Sequence, residues 1–180
     1  MKIVKTQLND CVIIEPKVFG DSRGFFLETF QAERYAEMAN INQPFVQDNH
    51  SRSGKGVLRG LHFQIKNPQG KLVRVVRGEV FDVAVDLRPD SSSFGQWEGV
   101  LLSEENKRQF WVPPGFAHGF VVTSDTADFE YKCTDYYDPS DEGSIAWNDP
   151  DLAITWPRDL EIKLSEKDAN APRFKEYLNR

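Results

Sequence analysis

Arg59 and His62 lie close to Gly60 in the stretch Val57-Leu58-Arg59-Gly60-Leu61-His62-Phe63-Gln64. Neither is needed by an apolar strand. Glycine marks a place that another backbone can approach closely. Histidine is the side chain best suited to moving protons near neutral pH, and arginine grips phosphate through a planar fork of donors. Together they point to acid–base chemistry on a phosphorylated substrate. The chain has 3 histidines, His50, His62 and His118, so few positions can supply a base of this kind.

The elements that must carry these residues can be read from the pattern. A chain of 180 residues, 39% hydrophobic and 12% aromatic, suits one globular domain over 1–180 with a sizeable core. The net charge of −6 argues against general nucleic-acid binding, which normally needs a basic face. Cys11 and Cys133 are far apart and fit no zinc spacing, so they read as small buried thiols. Residues 1–6 lack the apolar region of a signal peptide, and no apolar run approaches the length of a membrane span. The expected compartment is the cytoplasm, with no membrane partner.

Residues 11–16 read as a short strand closed by proline, 19–24 as a turn-rich loop and 25–30 as a strand. Residues 31–40 read as the one long helix of the first half, with Asn40 near its end. Residues 45–52 begin as a strand and become a polar run, either an exposed edge or a polar wall around a ligand. Residues 53–56 form a loop without Walker spacing. Strands follow at 70–77 and 80–88, both alternating, with Gly78-Glu79 as the tight turn between them. Further strands are expected at 96–103, 110–112, 119–123 and 128–134. Residues 136–156 look irregular, and the chain from 164 onward reads as helical, broken near Pro172. Many short strands with few helices imply an all-β sandwich or barrel.

Two stretches resemble the paired motifs of the cupin superfamily. Pro113-Pro114-Gly115-Phe116-Ala117-His118 matches Pro-x-Gly-x-x-His in full. Gly56 to Gln64 matches the glycine, five residues, then His-x-His pattern, except that Gln64 stands where the second His belongs. Gln64 is a poor ligand and no glutamate follows at the expected spacing, so no metal is expected and His62 is left free to act as a base. The alternative reading of His118 is a satisfied structural histidine, the less favoured of the two.

Arg59-Gly60-Leu61-His62-Phe63-Gln64, Gln69-Gly70-Lys71-Leu72-Val73, residues 78–88, residues 113–119 and the segment around Tyr131 resemble one family in order. It is the dTDP-4-dehydrorhamnose 3,5-epimerase family, and Lys167-Asp168 also fits. The resemblance implies His62 as the base, oriented by Asp168, and Tyr131 as the proton donor. Lys71 would stabilise an enolate oxygen, an effect of about 3 kcal/mol by analogy with oxyanion-hole donors. Arg23, Arg59 and Lys167 would contact the diphosphate region, and Glu28, Gln47 and Asn49 the thymidine and sugar. His118 and Glu142 would be further substrate contacts, and Phe26 and Tyr137 candidate stacking partners. Without the resemblance, Asp168 reads as a solvated helix residue and Tyr131 as a strand aromatic.

The implied fold is a cupin-type jelly roll of two antiparallel sheets with a few short peripheral helices. The implied activity is cofactor-free inversion of C3 and C5 in a dTDP-4-keto-6-deoxy sugar, in a homodimer whose N-terminal segment lies on the partner, with Arg23 and Glu28 serving the neighbouring site. A single-centre epimerase would present the same base, acid and lysine. A non-catalytic sugar-nucleotide binder and a metal-dependent cupin are weaker readings, opposed by the retained site residues and by Gln64 respectively.

Overall fold

The computed structural model describes residues 1–179. The strands in chain order are β1 (Lys2–Lys5), β2 (Val12–Glu15), β3 (Val18–Asp21), β4 (Gly24–Leu27), β5 (Gln47–Gly54), β6 (Leu58–Gln64), β7 (Lys71–Arg77), β8 (Glu79–Asp86), β9 (Trp97–Ser103), β10 (Gln109–Val112), β11 (Phe116–Val122), β12 (Thr126–Cys133) and β13 (Glu142–Ser144). The helices are α1 (Ala32–Ala39), α2 (Glu166–Ala169) and α3 (Phe174–Leu178). No helix among the described residues is long and apolar enough to cross a membrane.

One sheet runs β1-β2-β10-β7-β12-β5 and the other β13-β6-β11-β8-β9, both antiparallel, and β3-β4 form a separate hairpin. The two large sheets face each other as a jelly roll. Their inner faces alternate as strands must. Val73, Val75, Phe110 and Phe129 from the first sheet meet Val80, Ala84, Val100, Phe116 and Phe120 from the second in one buried cluster.

Both outer faces are covered as well, and this explains where the strand pattern departs from expectation. β8 does not alternate between buried and wet. Its Val83 and Val85 pack outward against Leu152, Phe174 and Trp156 of the C-terminal segment. On the other sheet, Leu72, Trp111 and Ile14 point outward under Tyr35 of α1, Phe30 and Phe45. Helix α1 is set by Gln31, whose side chain caps Arg34 N, and by Asn40, left-handed at φ 56°.

The polar run resolves as an edge strand, β5, paired only with β12. It starts at Gln47, because Phe45 packs as a ring in the outer cluster, and it extends through Ser53 and Gly54 instead of giving way to a loop there. Residues 18–27 form a hairpin rather than a loop followed by a strand. Phe19 pairs with Phe26 and Gly20 with Phe25, and Gly24 takes φ 134° after the tight turn. β1, unforeseen in the lysine-flanked Lys2–Lys5, borrows its order from pairing with β2. β13 lies within the segment read as irregular. It is short and pairs only with β6, where Gly143 leaves room for the Phe63 ring. β11 begins at Phe116, so His118 stands inside a strand. The C-terminal region is two short helices separated by Pro172, with Leu164 outside both.

Candidate active site

A cavity of about 460 Å³ opens between the sheets, lined by Arg59, His62, Lys71, His118, Tyr131, Lys167 and Asp168 among others. His62 and His118 come from the five-stranded sheet, and Lys71 and Tyr131 from the six-stranded one. The histidines and the lysine–tyrosine pair therefore approach a ligand from opposite walls.

The His62 wall depends on backbone contact. β6 and β11 approach so closely that a Cβ on Gly60 would lie 2.6 Å from Gly119 Cα and 2.7 Å from the His118 carbonyl oxygen. The pairing register shifts between His118 and Phe120 at this point, and His62 comes directly opposite His118. The His62 ring is part-buried, and its Nε2 lies 2.6 Å from Asp168 Oδ1.

Asp168 arrives from 106 residues away in the chain. The C-terminal segment is tied down along its length. Lys163 bonds to Gly56 and Leu58, Ala146 N donates to Pro172 O, and Asp149 accepts from Phe174 N. Ser165 caps α2 by accepting from Asp168 N at 3.1 Å. Asp168 is 4% exposed. Burial pushes its carboxyl up, but the His62 ring, the Ser165 hydroxyl and the Gly60 backbone outweigh that and hold it below the ordinary carboxylate value.

On the facing wall, burial pushes the Tyr131 phenol up, which keeps it protonated and able to donate. Burial pushes the Lys71 ammonium down from its usual value, against the pull of Cys133, Asp82 and Glu142. Both are conditions under which a charged or polar donor acts strongly on a developing oxyanion.

The mouth is polar. Arg59 is exposed and its guanidinium contacts the Ser53 hydroxyl at 3.1 and 3.2 Å. Lys167 bonds to Glu142, which also accepts from Tyr137 Oη at 2.8 Å. Burial raises the Glu142 carboxyl, but these two bonds outweigh it and hold the group low. Gln47 donates to Asn49 and accepts from Tyr137 N, tying β5 to this rim. Asn49 donates to Cys133 Sγ at 3.6 Å. Both cysteines are free and buried.

Gln64 is committed elsewhere. Its amide donates to Asn67 O and Tyr136 O and accepts from Asp138 N, pinning the loop at the rim. Among the described residues no group of three or more His, Cys, Asp or Glu side chains is placed to hold a metal ion.

Arg23, Phe26 and Glu28 are not brought to this cavity within one chain, and Gln47, Asn49, Tyr137 and Glu142 are not in its lining but connect to Lys167 through the bonds above. Arg23 pairs with Asp21 in the exposed β3-β4 turn, and Glu28 pairs with Arg34. Phe26 is 69% exposed, beside Phe25 at 61% and Phe19 at 53%. Ser51, Lys163 and Ser165 line the cavity without having been singled out. Asp82, which reaches His118, was also missed. An acid between Val80 and Ala84 on an inner face was its one sequence signal.

Residues 5–176 match the family model described as dTDP-4-dehydrorhamnose 3,5-epimerase. The chain is 58% identical over 179 residues to the Salmonella typhimurium protein called dTDP-4-dehydrorhamnose 3,5-epimerase, covering 99% of this chain and 98% of that protein. The Pseudomonas aeruginosa protein of the same name is 56% identical, with 97% and 96% covered. Among solved structures, the dTDP-6-deoxy-D-glucose-3,5-epimerase of Legionella pneumophila in complex with dTDP-4-keto-L-rhamnose superposes with a TM-score of 0.93 at 62% identity, covering 96% of this chain and 92% of that one. A 3'-monoepimerase from Streptomyces bikiniensis in complex with dTDP-quinovose gives 0.89 at 35% identity, with 97% and 89% covered.

Proposed function

Since this chain belongs to the dTDP-4-dehydrorhamnose 3,5-epimerase family, we propose that it inverts C3 and C5 of dTDP-4-dehydro-6-deoxy-D-glucose to give dTDP-4-dehydro-L-rhamnose, without a cofactor. The hydrogens on C3 and C5 are both adjacent to the C4 ketone, so loss of either leaves an enolate. Inversion requires a base on one face and an acid on the other. The observation that carries the reading is the His62–Asp168 pair at 2.6 Å on one wall of a cavity whose opposite wall holds Tyr131 and Lys71.

In this reading Asp168 occupies Nε2 of His62 and orients the ring, which leaves Nδ1 to take the proton from carbon. Lys71 meets the oxygen on which the negative charge develops. Tyr131, kept protonated by burial, delivers a proton to the other face of the carbon. Arg59 and Lys167 meet the diphosphate at the mouth through charge-assisted hydrogen bonds. Gln47, Asn49, His118 and Glu142 contact the nucleotide and sugar.

The exposed Phe19, Phe25 and Phe26 form an apolar patch on a projecting hairpin, the kind of surface that marks an interface. A homodimer in which this hairpin lies on the partner would bring Arg23, Phe26 and Glu28 to the neighbouring site.

The test is turnover of dTDP-4-dehydro-6-deoxy-D-glucose in heavy water, read by mass spectrometry and NMR. Deuterium at both C3 and C5 with inversion at both is the expected result. The likeness to the 3'-monoepimerase gives the second reading its support, and stable inversion at one carbon alone would select it. Binding without any exchange would leave a sugar-nucleotide binder.

A further inference from the structure

The cavity contains a second histidine–carboxylate pair. His118 Nε2 lies 2.9 Å from both Oδ1 and Oδ2 of Asp82. His118 lines the cavity directly across the strand register from His62. Asp82 is 0% exposed and stands on the inner face of β8 between Val80 and Ala84, both part of the central apolar cluster. Burial pushes its carboxyl up, against the opposing pull of His118 and Lys71.

Folding alone gives little reason to place an acid there. Apolar replacement of a buried ion pair is often neutral or stabilising. What the acid does is constrain the ring. An ionised carboxylate only accepts hydrogen bonds, and both of its oxygens lie at hydrogen-bond distance from Nε2. The ring plane is fixed as well, stacked on Phe129 with a centroid distance of 6.1 Å and an interplanar angle of 25°. Nδ1 has no hydrogen-bond partner among the described residues, and no side-chain polar atom among them is sealed from solvent without one. The open nitrogen of His118 therefore faces the cavity that its ring lines.

We propose that Asp82 is a positioning residue for the epimerisation: it fixes the proton of His118 on Nε2 and presents Nδ1 to the sugar, in the cavity that Lys71 also lines. A carboxylate behind an imidazole sets its tautomer and stabilises positive charge on the ring. With a proton on Nδ1 as well, the imidazolium that Asp82 stabilises gives the cavity a second group able to balance the negative charge of the enolate oxygen alongside Lys71. This inference rests on the reaction proposed above.

Two measurements on the full-length protein test it. The first is NMR of protein carrying ¹⁵N-labelled histidine, with the His118 ring assigned by its loss in His118→Gln. A protonated Nε2 near neutral pH is expected, and a bare Nε2 with the proton on Nδ1 overturns the proposal. This reading needs neither activity nor a folded Asp82 variant, so it stands apart from the epimerase assignment, which the deuterium exchange of the wild type decides. The second is steady-state kinetics of Asp82→Asn, His118→Gln and the double variant. Asp82→Asn is expected to lose roughly 10- to 100-fold in kcat, by analogy with carboxylates that orient metal-bound histidines, with KM within about threefold of wild type. The double variant should be no slower than the slower single one. A kcat for Asp82→Asn within about threefold of wild type, or losses that multiply in the double variant, overturns it.

Discussion

His62 and Asp168 are 106 residues apart in sequence and 2.6 Å apart in space. In the proposed reaction the ring cannot serve as a directed base without the carboxylate. Asp168→Asn should therefore lower kcat by roughly 10²- to 10⁴-fold while the affinity for dTDP stays near wild type, measured by steady-state kinetics and calorimetry. His62→Asn should abolish deuterium exchange at both C3 and C5, and retained exchange in that variant would remove His62 as the base. Other carboxylates serve the fold instead. Asp86 is 0% exposed. Burial raises its carboxyl, but bonds from Arg88, Ser91 and Ser93 bring it down from the ordinary 3.8 to about 2. A group depressed in the folded state stabilises that state above its unfolded pKa and loses the effect as pH falls through the folded one. Thermal denaturation followed from pH 6 down to 2 should show Tm falling between about 4 and 2 in the wild type, and a flatter curve over that window in Asp86→Asn.

At the scale of elements, the C-terminal segment and the β6–β11 contact do the positioning. Phe174 is 7% exposed, packs near Phe94 and Tyr177, and its backbone N donates to Asp149. Phe174→Ala should cost about 3–5 kcal/mol of stability, the usual cost for a buried phenylalanine. Because this segment carries Asp168, the variant should lose kcat even at temperatures where circular dichroism reports an intact β fold. Undiminished kcat would mean that α2 docks without α3. Gly60→Ala drives a methyl into Gly119 and the His118 carbonyl. It should lower both Tm and kcat, because the strands cannot separate without moving His62 and His118 together.

At the scale of the whole molecule, the β3-β4 hairpin projects an apolar surface that calls for a cover. A lone protomer leaves Phe19, Phe25 and Phe26 in water and leaves Arg23 and Glu28 in pairs outside the lining of its own cavity. The proposed dimer predicts that light scattering on the wild type returns twice the chain mass. Phe25→Asp with Phe26→Asp should return one chain mass and reduced turnover. A wild type that is monomeric and fully active would remove the partner's hairpin from the site.

Strand periodicity, turn residues and the Pro-x-Gly-x-x-His motif were enough to read the β class, helix α1 and most of the strands, because these are local signals of period and backbone preference. The resemblance in motif order indicated the family, and it implied the roles for His62, Tyr131 and Lys71 that the proposed reaction uses. Sequence could not read the contacts made by distant segments. Asp168 resembles any exposed helical acid until the C-terminal segment is seen folded across the sheet. Asp82 resembles a strand acid until the inner face of β8 is seen. β8 looked half-wet because its second covering layer comes from residues far along the chain, and the hairpin at 18–27 and β13 at 142–144 are ordered by pairing that short stretches do not specify. Residue types thus determined which chemistry was available, while tertiary packing decided which carboxylate meets which histidine, since burial and proximity are properties of the assembled sheets and not of any one stretch.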